Sequence, residues 1–533
     1  MKKYFTQNPL LVFQFLVSNI IGALSVLSLA FVLERIIDAI SATDAGAFSF
    51  SVGLLALYII FDSLMEYCVE VSNQKLIQKI LHDIRSDLTV SDGNRSLLEI
   101  YRSKPEHAVS TYTNELEVLE KQYLEQIISI TNDILVFVFA SLISLFLQPS
   151  YTVIMVVLSL IPLVYPLLTQ KKLQDAKHAS VQSRQDYFAT LTDFYFGLKT
   201  IKLFHALSHF AENLNQKSAK LKKANLDYAR KANGIEAVSY AITMVVNQGA
   251  WVVGGFFVLR GNLSLGEFIA LRQLVMYITY PITNMKHSYT DILASRTLVN
   301  ELLEKIDSAQ SKQSEVTPVS IHRIELVDFG IKSAEKRLLK PSNFVFEVGK
   351  KYLIIGESGT GKSTLLNALI GLIPKDFTVE GQLLINHEAI QPSDFDYSSI
   401  AYVEQKTFIF DMPLQENLTM YKDYEDSQVR TVLQQVGLEN LDRTDSVKNR
   451  LSGGQERRLD LARNLLADKT VILLDEVTSS LDKENRLRIE EIVRSLRDKL
   501  VICIAHEPTE EFTAGFDYVL RLEAGLLVSV SGV

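Results

Sequence analysis

The chain has 533 residues, more than one core can serve, because single hydrophobic cores stop growing at about 250–300 residues, so two or three folded units are expected. A net charge of −8 lacks the clustered Lys and Arg that a nucleic-acid partner requires, and two cysteines, Cys68 and Cys503, are too few for a disulfide framework or a cysteine metal site. Hydrophobic residues make up 47% of the chain and concentrate ahead of Thr290, which excludes an ordinary soluble first half.

The apolar run 10–33 is too long for a signal-peptide core and no small-residue cleavage site follows it, so a retained helix is expected. Residues 10–33, 151–169 and 237–259 hold no charge and are long enough for about 30 Å of hydrocarbon. Residues 47–69, 127–147 and 268–285 are interrupted by Asp62 and Glu66, by Asp133 and by Arg272, and complete a set of six spans. The short connections 38–46, 148–150 and 260–266 have Arg260 as their only basic residue, whereas the long ones, 72–124 and 171–234, are rich in Lys and Arg. That asymmetry predicts both ends of the six-span domain in the cytoplasm. The long connections keep helical periodicity, as membrane helices do when they run on into water and turn back. Asp62, Glu66 and Glu70 share one helix face, so Asp62 and Glu66 are expected to line a cargo cavity favouring a cationic or amide-rich solute, with Arg272 and Asp133 as pairing partners.

Residues 306–319 turn Ser, Gln and Lys rich and end in Val-Thr-Pro, a linker composition, which divides a membrane domain, 1–305, from a second domain, 320–533. Strands are expected there at 324–329, 344–348, 351–355, 382–385, 400–404, 471–474 and 501–505, with helical stretches between the later ones. Gly356-Glu357-Ser358-Gly359-Thr360-Gly361-Lys362-Ser363 follows the third strand and precedes a helix, matching G-x-x-x-x-G-K-[ST]. A strand that breaks into glycines and then into a helix aims backbone N–H groups and the positive end of the helix dipole at one spot, which suits phosphate. Lys362 then reaches the β- and γ-phosphates, and the Ser363 hydroxyl holds Mg²⁺.

The apolar run 471–474 ends in Asp475 and Glu476. Ligands sit at the carboxyl ends of parallel strands, so Asp475 is expected beside the phosphate nest, holding Mg²⁺ directly or through water, while Glu476 polarises the attacking water. His506 follows the strand 501–505 at the corresponding edge, where it can contact the γ-phosphate and orient Glu476. Leu451-Ser452-Gly453-Gly454-Gln455 opens another helix and offers a phosphate a hydroxyl and bare backbone, without completing a site by itself.

Taken with Ser479-Ser480-Leu481-Asp482, these stretches resemble the nucleotide-binding domain of the ABC transporter superfamily, and Gln405 in Tyr402-Val403-Glu404-Gln405 resembles its Q-loop. Six spans ahead of one such domain resemble an exporter-type half-transporter. The fold class this implies is an α-helical six-span membrane domain followed by an α/β P-loop NTPase domain of ABC type. The resemblance implies ATP and Mg²⁺ as cofactors, with Glu476, His506 and Gln405 catalytic. It implies nucleotide contacts from Gly356, Glu357, Ser358, Gly359, Thr360, Gly361, Lys362, Ser363, Thr364, Ser452, Gly453, Gly454, Gln455 and Asp482, and a metal set of Ser363, Gln405 and Asp475. It also implies a second half-transporter chain, identical or unlike, packed head to tail so that ATP lies between 356–363 of one copy and 452–455 of the other.

The activity implied is ATP-driven export of a peptide, lipid or amphipathic small molecule by alternating access, across the cell membrane with the nucleotide domain in the cytoplasm. The partners are the bilayer and the cargo, with no nucleic acid; an exporter-fold importer and one subunit of a heterodimer are the alternatives. The loop tips that touch nucleotide domains in this family match 106–115 and 193–204 here. Export coupled to leader cleavage by a cysteine-protease domain ahead of the first span is not expected. Three departures stand out: Ile331 occupies the place of the family's adenine-stacking aromatic, 445–450 is shorter than the exporter pattern, and Asp460 replaces an apolar residue, with Arg457 and Arg463 on the same helix to pair with it.

Overall fold

Hydrocarbon offers a backbone no hydrogen bonds, so an apolar chain half that is to cross it must be built from helices or a closed barrel. The computed structural model, which describes every residue except 104, 160, 311–319, 334–336, 358, 391–394, 449, 479–480, 507 and 531–533, has helices there. By their contacts the residues form two units, Met1–Ser91 with Val109–Ser308, and Asp92–Ala108 with Ala309–Val533. The expected linker is helical as far as Gln310 and otherwise lies outside the described residues.

In chain order the first half runs α1 (Lys2–Gln7), α2 (Pro9–Ser41), α3 (Ala45–Gly93), α4 (Leu97–Arg102), α5 (Pro105–Ser110), a wider helical stretch interrupted by α6 (Leu116–Val118), α7 (Glu125–Leu147), α8 (Pro149–Ser159), α9 (Ile161–Phe196), α10 (Leu198–Leu203), α11 (Leu207–Leu259) and α12 (Leu265–Gln310). At about 1.5 Å per residue, α3 and α11, of 49 and 53 residues, far exceed the thickness of hydrocarbon and continue beyond it. Among the described residues Pro9–Ser41, Ala45–Gly93, Ala108–Leu147 and Leu207–Leu259 are long and apolar enough to cross a membrane. The expected span 151–169 is divided between α8 and α9, where residue 160 and the side chains at 162–168 lie outside the described residues, and 268–285 lies on α12.

The first unit inverts the usual order of inside and outside. Phe13, Leu57, Ile60, Leu64 and Phe146 are exposed, the last at 93%, while polar side chains pair within the bundle. Asn19 donates to Asn73 at 2.8 Å, Ser25 to Asp62 at 2.7 Å, and Asn284 to Asp133 at 2.7 Å and to Ser129 at 3.1 Å. Asp133 therefore pairs with Asn284 and Asp62 with Ser25, and Arg272 serves neither: its guanidinium lies 5.8 Å from the Trp251 ring. Glu66 is exposed. Trp251 in turn stands edge-on to Phe268 at 5.3 Å, an approach that needs Gly254, since a Cβ there would lie 2.0 Å from the Phe268 ring.

The expected loop tip at 106–115 is displaced. The chain turns earlier, after Gly93, where Ser96 accepts from the Glu99 N–H to start α4, and α5 begins the return at Pro105. It is α4 that belongs to the second unit: Arg102 Nε donates to the Ile373 carbonyl at 2.9 Å, and Leu98 packs on the core. The second turn holds α10 within the expected 193–204, with Phe196, Leu203 and Phe204 exposed.

The second unit contains β1 (Arg323–Lys332), β2 (Arg337–Glu347), β3 (Lys351–Ile355), α13 (Lys362–Leu369), β4 (Thr378–Ile385), β5 (Glu388–Ala389), β6 (Ile400–Val403), α14 (Leu414–Thr419), α15 (Asp426–Gln435), α16 (Gly453–Leu466), β7 (Val471–Asp475), α17 (Lys483–Ser495), β8 (Leu500–Ile504), α18 (Glu510–Thr513), β9 (Tyr518–Glu523) and β10 (Leu526–Ser529). One sheet is antiparallel, β2-β1-β4-β5; the other is ordered β10-β9-β3-β8-β7-β6, parallel except at β10. Every residue of β7 and β8 is buried, as expected for unbroken apolar strands covered on both faces. All seven expected strands have counterparts; β5, β9 and β10 are additional.

Asn417, fully buried, ties α14 to its surroundings by accepting from the Phe410 N–H and from Arg463, and by donating to the carbonyls of Phe410 and Met412. Asn417→Ala leaves those groups unpaired and is expected to remove about 2–3 kcal/mol of local stability. Hydrogen exchange across Phe410 to Thr419 should accelerate; unchanged protection there would refute the role.

Candidate active site

β3 lies inside the parallel sheet and the chain leaves its carboxyl end at Gly356. A Cβ at Gly356 would stand 2.7 Å from the Leu522 carbonyl oxygen, so the turn tolerates no side chain there, and Gly361 starts α13 with φ +98°, a left-handed conformation that favours glycine. Between them Thr360 Oγ1 donates to the Glu357 carbonyl at 2.9 Å; Ser358 lies outside the described residues. Lys362 is buried and folds back, its Nζ donating to the carbonyls of Gly356 at 2.9 Å and Glu357 at 2.7 Å. Ser363 and Thr364 fill the first turn of α13, whose leading N–H groups have no acceptor within the helix.

Asp475 ends β7 with 3% exposure and takes a hydrogen bond from the Ser363 side chain. Burial pushes its carboxyl up and the Ser363 bond pulls it back. Its Oδ1 has no hydrogen-bond partner among the described residues. A buried carboxylate oxygen without a donor, next to a hydroxyl, is an oxygen set that fits a hard divalent cation. Glu476 follows at φ +52°, a strained conformation for a residue with a side chain, and its N–H donates to the Ile504 carbonyl at 3.1 Å. That bond holds Glu476 beside the end of β8, from which exposed His506 follows. Gln405, just after β6, donates from Nε2 to Glu476 Oε2 at 3.1 Å.

Four of the strands, β3, β6, β7 and β8, thus deliver the expected loop 356–364, Asp475, Glu476, Gln405 and His506 to one edge of one sheet. The remaining expected residues are built as helix caps. Ser452 and Gln455 bond each other reciprocally at 2.8 and 3.3 Å to start α16, with Gly453 and Gly454 between them, and Asp482 starts α17 by accepting from the Asn485 N–H at 3.0 Å. Among the described residues no hydrogen bond joins 452–455 or Asp482 to 356–364. Ser479 and Ser480 lie outside the described residues.

Arg457 was not expected at the site. It reaches the Glu476 carbonyl from Nη1 and the Gln405 carbonyl from Nη2, both at 3.5 Å, and so spans the two functional side chains from behind. Backbone acceptors distant in sequence leave no pattern, and only its place two residues after Gln455 could have drawn attention to it. Ile331, at 1% exposure, is a core residue of β1 and offers no open face on which a base could stack.

The charge at 460 pairs with Arg463 at 3.7 Å rather than with Arg457. Burial, opposed by Arg463 and reinforced by Glu404, leaves its carboxyl pushed up to about 6. Arg463 cannot offset the burial because its guanidinium also serves Asn417 Oδ1 and the Phe408 carbonyl.

A family model described as ABC transporter transmembrane region matches residues 12–282, and one described as ABC transporter matches 339–479. The chain is 23% identical to the putative multidrug export ATP-binding/permease protein YgaD of Bacillus subtilis, over 95% of this chain and 90% of that one. It is 24% identical to the transport/processing ATP-binding protein ComA of Streptococcus pneumoniae, over 86% and 66% respectively. The solved structure of a bacterial Atm1-family ABC exporter with ATP bound superposes with a TM-score of 0.70 at 18% identity, covering 98% of this chain and 94% of that one, which establishes likeness of fold.

A carboxyl raised from near 3.9 in the unfolded chain to about 6 in the folded one binds its proton more tightly when folded. Its neutral form supports the fold fully below the unfolded value, and that support is lost as pH rises through about 6. Asp460→Asn should therefore stabilise the second unit at pH 7.5 by on the order of 1–2 kcal/mol and lose that advantage near pH 4. Equal thermal shifts at the two pH values would mean that Arg463 offsets the buried charge completely.

Proposed function

The chain belongs to the ABC transporter family, its transmembrane region and ATP-binding domain fused in one polypeptide, and from that premise we propose that it is a half-transporter that exports its cargo as a dimer by alternating access. The observation that carries this reading is an incomplete site. One edge of the sheet gathers a phosphate loop, a buried acid and a carboxylate–amide pair, while among the described residues Ser452 and Gln455 bond each other and Asp482 bonds Asn485 as helix caps, with no hydrogen bond to that edge. A second copy packed head to tail would bring those residues to the nucleotide. The export in the name of YgaD supports the direction, and the concentration of Lys and Arg in the long connections supports a cell membrane location with the nucleotide domain in the cytoplasm. We assign the membrane domain to 1–305 and the nucleotide domain to 320–533.

In the mechanism that follows, Lys362 leaves the carbonyls of Gly356 and Glu357 and turns to the β- and γ-phosphates, exchanging two neutral acceptors for charged ones. The N–H groups of the 356–361 turn and of the α13 start surround the phosphate chain. Ser363, Asp475 and Gln405 would hold Mg²⁺, which when bound neutralises charge building on the phosphate oxygens. Glu476 takes the proton of the attacking water, and the Gln405 amide holds its carboxylate in place. His506 orients the γ-phosphate from the end of β8. Closure of two such sites draws the membrane helices to one side, and loss of the γ-phosphate contacts releases them.

Glu476→Gln keeps a partner for Gln405 but removes the base. ATPase activity of the full chain in lipid should fall by roughly 10²–10⁴-fold while ATP binding persists and the closed dimer accumulates. Hydrolysis within a fewfold of the parent would sink the assignment.

A further inference from the structure

We propose that a cavity between α11 and α12 binds a small zwitterionic group, its ammonium held by Glu236 and its anionic oxygens by Lys286 and His287. The proposal deepens the export reading and rests on it for the role of this site in cargo recognition. Glu236 directly precedes the charge-free run 237–259 on α11, and Lys286 directly follows the apolar stretch 268–285 on α12, so the three groups meet where both spans leave hydrocarbon. Glu236 Oε1 and His287 Nε2 stand 4.0 Å apart, too far for a hydrogen bond with each other and close enough for one ligand atom, set to the side of the line joining them, to contact both. Among the described residues Lys286 has no carboxylate partner within ion-pair distance.

The cavity, of about 120 Å³, continues toward the membrane interior past Ser239, Thr243 and Thr283. On α11 residues 236, 239 and 243 share one face, as do 283, 286 and 287 on α12. A serine in an apolar helix ordinarily bonds the carbonyl four residues back, as Thr243 does to Ser239 at 3.0 Å. Ser239 does not: its Oγ is buried without a partner among the described residues. Two turns deeper, Asn247 Oδ1 is buried in the same condition. Charges that merely anchored the helices at the lipid headgroups would need neither a hydroxyl-lined cavity nor an orphaned serine inside it. The site has a carboxylate, an ammonium and an imidazole over hydroxyl donors and acceptors, which matches an ammonium and an anionic oxyacid on a short spacer. Its volume holds such a group but not a whole amphipathic molecule, so the rest of the ligand extends through the open side. The same group is presented by the termini of a short peptide and by a phosphatidylethanolamine headgroup.

The test uses the full chain in phosphatidylcholine nanodiscs, where the methylated ammonium cannot donate a hydrogen bond, without nucleotide. Equilibrium binding of tritiated trialanine is compared with that of its N-acetyl and C-terminal amide forms, in the parent, Glu236→Gln and Lys286→Gln. The parent should bind the unblocked peptide roughly tenfold more tightly than either blocked form. Glu236→Gln should erase the penalty of acetylation alone, and Lys286→Gln that of amidation alone. Phosphatidylethanolamine in the discs, displacing trialanine from the parent but not from Glu236→Gln, would support the same site with lipid as the source. Absence of saturable trialanine binding to the parent, or a preference for unblocked peptide that neither variant alters, overturns the proposal. Because nucleotide is absent, loss of hydrolysis in Glu476→Gln is read separately, and failure of either reading leaves the other standing.

Discussion

The parallel strand register is the constraint on which the candidate active site depends. Lys351 to Ile354 pair in step with Val501 to Ile504, and Val471 to Asp475 with Leu500 to Ile504, so β3, β7 and β8 end at one level. Strands this apolar are stable only when covered on both faces, which leaves their carboxyl ends as the one place where polar groups emerge together. Gly356 follows the first of these ends, Asp475 forms the second and His506 lies just past the third, to which Glu476 is pinned by its bond to Ile504. A slip of one residue in any of these pairs would turn its apolar side chains to the wrong face and carry its functional successor out of reach.

The membrane unit answers the opposite solvent. There the outer surface is apolar, and several polar groups pair with one another inside the bundle because hydrocarbon supplies no partner. Asn19 with Asn73, Ser25 with Asp62 and Asn284 with Asp133 are such pairs, the first two joining α2 to α3 and the last joining α7 to α12 across 151 residues. Asp38 does similar work where α2 ends, accepting from the Gly266 N–H and so capping α12 across 228 positions of sequence. Helices joined by small residues and paired polar groups can slide and re-pair more readily than an interdigitated aqueous core, which suits the two arrangements that the proposed alternating access requires.

Much of this was legible in the sequence wherever a residue's role is set by its own neighbours. The strands at 351–355, 471–474 and 501–505 are unbroken apolar runs, and the glycine, lysine and carboxylate spacings carry their chemistry in order. What escaped depends on distant partners or on weak patterning. β9 and β10 alternate with Arg521, Glu523 and a tight turn, and have no run to betray them. Arg457 acts on two backbone carbonyls, and Asp133 chooses Asn284 from 151 residues away, neither of which a spacing encodes. The loop tip at α4 was misplaced because helical periodicity continues through 106–115, whereas Gly93 and the Ser96 cap mark the turn.

Trp251 is the only tryptophan in the chain, and it sits against Phe268 and Arg272 where α11 meets α12. Its emission is therefore a native optical reporter with a single address in the membrane unit. A guanidinium over the indole and an aromatic edge at 5.3 Å make the emitting state sensitive to small displacements of one helix against the other. The nucleotide unit has no tryptophan of its own. Any change in that emission on adding ATP is consequently a signal that has travelled between units, read without a label.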